Sequence, residues 1–210
     1  MAVATTMLKP KRQPIQEQVT PFSSFSLRRF SVDEYHKMIE FGVLKSGEPF
    51  ELLRGWIVKK MSIISPHSQA VSRLQRWFSR HLSDEWYLRT QQPITTSDSE
   101  PEPDLVVAQG PDTLYDSGHP TPAQAALVIE VASSSLLDDQ TEKLRIYADS
   151  GVSQYWIINL IDMRVEVYTQ PRGGKKPGYK SCVHYAKGEE IPLVLAKKKV
   201  GSLPVSEFLA

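Results

Sequence analysis

Apolar positions first fall into a regular order at Phe30. Residues 1 to about 24 carry Pro, Gln, Thr and Lys without an apolar period, which predicts a flexible tail ahead of an ordered region over 25–210. Ser31-Val32-Asp33-Glu34 reads as a capping box, with Phe30 and Tyr35 as the hydrophobic staple of a helix running to about residue 44. FELLR and WIVKKM predict two strands around a turn at Gly55. A second helix begins at Pro66 with Ser65 as its cap. Ala70, Val71, Leu74, Phe78 and Leu82 form its buried stripe.

Three strands are predicted next, over 86–95, 104–108 and 125–132, with the turn-rich GPDTLYDSGHPTP between the last two. A helix follows over 139–150, with Asp139 as its cap, Glu142 in the capping-box position and Gly151 at its end. QYWIIN, MRVEVYT and YKSCVHY then predict a meander. A strand, helix, strand unit over 125–159 calls for a crossover between parallel strands. The expected architecture is a single α/β domain with a mixed sheet and no internal repeat.

Composition changes this picture little. The 210 residues are 40% hydrophobic and 23% charged, enough for one core without disulfides. The one cysteine, Cys182, forms no internal bridge, and no stretch approaches the roughly 20 apolar residues of a membrane span. A cytoplasmic protein with no membrane contact is the expectation. The net charge of +1 permits a nucleic-acid partner without demanding one. Basic residues are local: Arg73, Arg76 and Arg80; Arg172, Lys175 and Lys176; and Lys197 to Lys199.

Three residues carry candidate chemistry. Glu130 interrupts ALVIEVA, a strand apolar enough to be buried on both faces, and shares one face with Ala126, Val128 and Ala132. An isolated carboxylate there faces several kcal/mol of desolvation or a raised pKa, so a cation should accompany it. Asp104 follows Pro101 and Pro103 at the start of a strand, where its orientation has little slack. Lys143 lies about 6 Å along the helix after Glu130, near the sheet end, with Tyr147 one turn on. Each has a plainer alternative: a structural ion pair, a strand-edge acid and a surface lysine. Together they supply what phosphodiester hydrolysis needs, carboxylates for one or two Mg²⁺ ions and an ammonium for the phosphate.

PEPDLVV, LVIEVASSS, the Asp139, Lys143, Tyr147 pattern and SGVSQYWIIN occur in this order, after FSVDEYHKMIE, FELLRGWIV and MSIISPHSQAVSRL. These segments resemble the Uma-type family, whose members are described as restriction endonucleases within the PD-(D/E)XK nuclease superfamily. The similarity spans about residues 28 to 209. It implies a restriction-endonuclease-like mixed sheet flanked by helices, with Mg²⁺ or Mn²⁺ at its open edge. Asp104 and Glu130 would be metal ligands, joined by the Val131 backbone carbonyl. The superfamily's Lys should stand two residues after the Glu, where Ala132 lies, and Lys143 takes that role by position. Glu51 would assist through water, and His67 is a candidate proton carrier. Arg54 and Trp56 replace two acids that the family often carries.

The expected activity is cleavage of DNA, with RNA left open, by a homodimer. The competing expectation is a catalytically weak nuclease fold that binds nucleic acid or a protein partner. Nucleophilic catalysis by Cys182, with His184 on the same strand face, is a third and weaker idea.

Overall fold

In the computed structural model, residues 26–45, 47–60 and 65–209 are described, so the tail lies outside the described residues. Helix α1 (Val32–Glu40) starts as its capping box dictates. The Ser31 hydroxyl accepts from the Glu34 amide at 3.2 Å, and the Glu34 carboxylate accepts from the Ser31 amide at 3.0 Å. The helix ends four residues before the expected position, and Gly42 beyond it has φ +70°. Strands β1 (Phe50–Leu53) and β2 (Trp56–Lys59) form a hairpin in which Leu53 pairs Trp56. Its two-residue loop, Arg54 at φ 48° and Gly55 at φ 79°, is of the left-handed kind that suits strand twist.

Helix α2 (Ser65–His81) buries Ala70, Val71, Leu74, Trp77 and Phe78. The central sheet then takes β3 (Trp86–Thr90), β4 (Leu105–Gln109), β5 (Ala125–Ala132), β6 (Gln154–Asn159), β7 (Arg164–Arg172) and β8 (Gly178–Ala186), hydrogen-bonded in chain order. Only β5 and β6 are parallel, joined by the expected helical crossover, while β6, β7 and β8 form the expected meander. A second hairpin, β9 (Glu190–Leu195) and β10 (Lys198–Pro204), was not foreseen. The crossover begins earlier than expected, as α3 (Leu136–Asp138), a wide π-turn (Asp139–Lys143) and α4 (Leu144–Asp149). Asp139 is therefore no cap: it is buried, with helical backbone angles.

The sheet has apolar contacts on both faces. Leu127, Ile129, Val131 and Trp156 pack with α2 and with Leu193, Leu203 and Phe208 near the C-terminus. Val128, Ala132, Tyr155 and Ile157 pack with Tyr147 and Ile94 on the other side. Each fully buried large side chain contributes roughly 1.5–3 kcal/mol. One expected face assignment fails at its end. Ala108 pairs Ala125 while Val107 pairs Leu127, so an extra residue is accommodated there, and Ala126 packs with Leu127's side of the sheet rather than with Glu130's. Among the described residues, no helix is long and apolar enough to cross a membrane.

The β1–β2 hairpin is clipped down at its turn. Gly55 accepts from the Phe30 amide at 2.9 Å and donates to Asp98 at 2.8 Å, and Leu52 bridges Glu100. A Cβ at position 55 would stand 2.7 Å from Arg29 Cβ and 2.9 Å from the Phe30 carbonyl oxygen. Gly55→Ala is expected to cost about 2 kcal/mol, seen as a lower urea midpoint with unchanged slope. An unchanged midpoint would mean that the clip is unimportant.

Candidate active site

β4 and β5 lie side by side, and their ladder runs only as far as Leu105 opposite Ile129. Asp104 stands just before that first rung and is buried. Its Oδ2 accepts from the Val131 amide at 2.8 Å and lies 3.0 Å from His67 Nε2 at the start of α2. Ala132's carbonyl accepts from Leu160 on the β6 side. Backbone groups of successive strand residues face opposite edges, so Val131's carbonyl must face Asp104's side, as its amide does. The carbonyl therefore stands at the edge where a ligand role requires it.

Glu130 is buried, and its Oε1 accepts from Lys143 Nζ at 3.0 Å and from the Tyr147 hydroxyl at 2.8 Å. Lys143 Nζ also lies 3.5 Å from Glu51 Oε2, the oxygen that accepts from the Glu102 amide at 3.1 Å. The hairpin thus delivers Glu51 directly onto the lysine. The π-turn that carries Lys143 is held at two points. Tyr155 donates to the Asp139 carbonyl at 3.1 Å, and Gln140 donates to buried Glu166 at 2.9 and 3.0 Å. Asp139's own carboxylate accepts from Ser135 at 2.7 Å. Glu51, His67, Asp104, Glu130, Asp139 and Lys143 line a cleft of about 530 Å³, with Trp56, Val58 and Lys60 along its wall.

Negative charge exceeds positive charge here. Burial pushes Glu130 well above the usual carboxylate range; Lys143 opposes this, while Asp139, Asp104 and Glu51 add to it. Burial likewise pushes Asp139 up to about 6, again against the pull of Lys143. Burial works against the ammonium of Lys143, but Glu130, Glu51 and Asp139 outweigh it and hold that group well above its ordinary value. Lys143 therefore stays charged, and a single ammonium cannot balance four acids. Burial, then the neighbouring Glu130, pushes Tyr147 up, keeping its hydroxyl a donor.

Hard oxygen donors with surplus negative charge are what Mg²⁺ or Mn²⁺ requires. Among the described residues, all hydrogen bonds to Glu130 fall on Oε1 and all those to Asp104 on Oδ2, so one oxygen of each is left for a cation. Also among the described residues, no group of three or more His, Cys, Asp or Glu side chains is placed to hold an ion. Two carboxylates and a carbonyl, completed by water, are oxygen donors of a kind that a divalent cation such as Mg²⁺ accepts.

The structure brings Asp104, Glu130 and Lys143 to one cleft, along with Glu51 and His67, and buried Tyr147 reaches it only through its hydrogen bond to Glu130. Sequence reasoning misplaced Asp139 and overlooked Gln140 and Glu166. The polar Glu166 within the apolar alternation of β7 was the available signal. Arg54, in place of an acid, lies 2.6 Å from Glu142 and takes no part in the carboxylate group. Cys182 is exposed on β8, and desolvation pushes its thiol up, away from a nucleophilic thiolate.

A mixed sheet with one acid beside the start of β4, a second on neighbouring β5 and a lysine between that second acid and Glu51 matches the arrangement expected of a restriction-endonuclease-like fold. The chain belongs to the Uma2 family, described as "Putative restriction endonuclease", whose profile matches residues 32–204. The same fold occurs in a crystal structure from Anabaena variabilis described as "a putative nuclease belonging to DUF820". That chain is 16% identical, with a TM-score of 0.63 over 86% of this chain and 97% of the other. No curated protein matches the chain.

Proposed function

We propose that this chain is a divalent-metal-dependent endonuclease that hydrolyses phosphodiester bonds in DNA. The observation that carries the reading is the Lys143 ammonium held between Glu130 and Glu51, one strand away from Asp104. Asp104, Glu130 and the Val131 carbonyl would hold Mg²⁺ or Mn²⁺, which supplies charge neutralisation and an activated water when bound. Tyr147 fixes the Glu130 carboxylate by donating to Oε1. His67 and the Val131 amide fix that of Asp104. Lys143, positioned by two carboxylates, offers its ammonium to the negative charge that develops on the phosphate. Cutting both strands would use two copies of the site, so we expect a dimer on the substrate.

A second reading, a nuclease fold that binds without cutting, draws on Arg54 and Trp56, which stand where the family often has acids. Metal titration separates the readings in one step. At about 100 times its dissociation constant, Mn²⁺ should add about 2.7 kcal/mol, which for a chain of this size raises the melting temperature by roughly 5–10 °C. Asp104→Asn should remove most of that gain. The gain should also grow with pH. Glu130 and Asp139 bind protons more tightly in the folded state, so their contribution is full at low pH and is lost as pH rises through the folded values. A bound cation takes the place of those protons, so its benefit should be larger at pH 8 than at pH 5. No metal-dependent shift, together with no cleavage of DNA or RNA, would favour the binding reading.

A further inference from the structure

The nuclease reading leaves unused a second cleft, of about 480 Å³, between the C-terminal half of α2 and the end of β10. Three guanidiniums line it. Arg73, Arg76 and Arg80 are spaced three and four residues apart, so they form a row on the side of the helix away from its buried stripe. Arg76 and Arg80 are exposed and Arg73 half-buried. Among the described residues, none of the three forms an ion pair. Glu207 also lines the cleft, so one carboxylate faces three cations.

Beside the row lies a fixed flat surface. His81 stacks on Trp77, with ring centroids 4.2 Å apart and an angle of 11° between planes. Its Nδ1 donates to the Trp77 carbonyl at 2.7 Å, which locks the ring in place. Trp77 is buried beneath, so the outer face of His81 is the one left to solvent.

We propose that this cleft binds a nucleic-acid strand, with the arginine row on successive phosphates and the His81 ring against a sugar or base. Guanidinium forks match phosphate oxygens two at a time, and an exposed ring supplies a stacking partner. The row steps by about 4.5 and 6 Å along the helix axis, within reach of neighbouring phosphates on one strand. His67, at the other end of α2, is part of the catalytic cleft. Arg80 lies 13 residues beyond it, about 20 Å along the axis, or roughly six base pairs of duplex. The row would hold substrate at that distance from the scissile bond. In this sense the proposal rests on the nuclease reading, but binding is measured apart from cutting.

The test uses the full chain, a fluorescently labelled DNA duplex of about 20 base pairs and its single strand, with EDTA present so that nothing is cut. Anisotropy titrations at several salt concentrations compare wild type with the triple variant Arg73→Ala, Arg76→Ala, Arg80→Ala. The expected result is a 10- to 100-fold weaker Kd and a salt slope shallower by about two to three units, since each phosphate contact contributes about 0.9. Lys175→Ala with Lys176→Ala, in the β7–β8 loop, should change Kd less than twofold. If the triple variant melts early, the pair Arg76→Ala, Arg80→Ala replaces it, with a slope change of about two units. Unchanged Kd and slope overturn the proposal. So does an equal loss in the loop variant, which would reduce the effect to net charge. Displacement of DNA by poly-glutamate at equal charge concentration would point to an acidic protein instead, and also overturns it. Failure of the nuclease reading looks different: DNA binding intact and arginine-dependent, with no cleavage on adding Mg²⁺ or Mn²⁺.

Discussion

Glu130→Gln is expected to lower metal-dependent cleavage by a factor on the order of 10³ while leaving the metal-free fold intact. The amide keeps the shape of the side chain and an oxygen to accept from Tyr147 OH, now 2.8 Å away. It removes the negative charge from the centre of a group in which burial already pushes that charge toward protonation. Lys143 retains Glu51, so no buried cation is orphaned. Stability without metal should change by less than about 1 kcal/mol, because the variant also loses a costly desolvated carboxylate. Single-turnover cleavage and urea unfolding of the same preparation check both halves. Cleavage at the wild-type rate would remove Glu130 from the site. Loss of fold along with activity would make its role structural.

Lys143→Met should do the reverse and damage the fold as well as the reaction. Without the ammonium, Glu130 and Glu51 face each other and Asp139 across a buried space with no permanent cation. Breaking a buried pair by removing one partner costs about 3–5 kcal/mol, and that is the loss expected at pH 8. The loss should shrink toward pH 5. Removing Lys143 takes away the one influence that lowers both Glu130 and Asp139, so their folded values rise further. Stability from groups raised in this way is full below their unfolded values and is lost as pH rises through the folded ones, so the penalty grows with pH. Mn²⁺ should restore part of it at pH 8. Denaturant midpoints at the two pH values, with and without Mn²⁺, are the measurement. An equal penalty at both would assign the effect to lost packing along the lysine stem.

Local patterns announced part of this fold without ambiguity. Ser31 and Glu34 cap α1 because a capping box needs only residues three apart. β5 occupies the expected 125–132 because a continuous apolar run bounded by polar residues has few other uses. One feature, the second hairpin, was hidden for local reasons as well. The β9–β10 hairpin turns through Ala196 and Lys197 at φ 46° and 67°, positions where Asn and Gly would have been the signal. Ile191, Leu193 and Leu195 do alternate inward there, but the proline and lysines between and after them masked the strand.

The sequence by itself determined that Glu130 is a charged residue inside an apolar strand and that Asp104 begins another, since burial and strand period are properties of neighbours along the chain. Only the tertiary structure decided what those acids meet. Glu51 reaches Lys143 across 91 intervening positions because the β1–β2 hairpin is clipped onto the segment around Glu100. His67 reaches Asp104 because α2 packs on the sheet with its first turn at the strand ends. Asp139, which has the spacing of a helix cap, instead turns inward, because Tyr155 and Glu166 hold the π-turn from strands β6 and β7. Such contacts depend on where the sheet closes, and no window of adjacent residues contains that information.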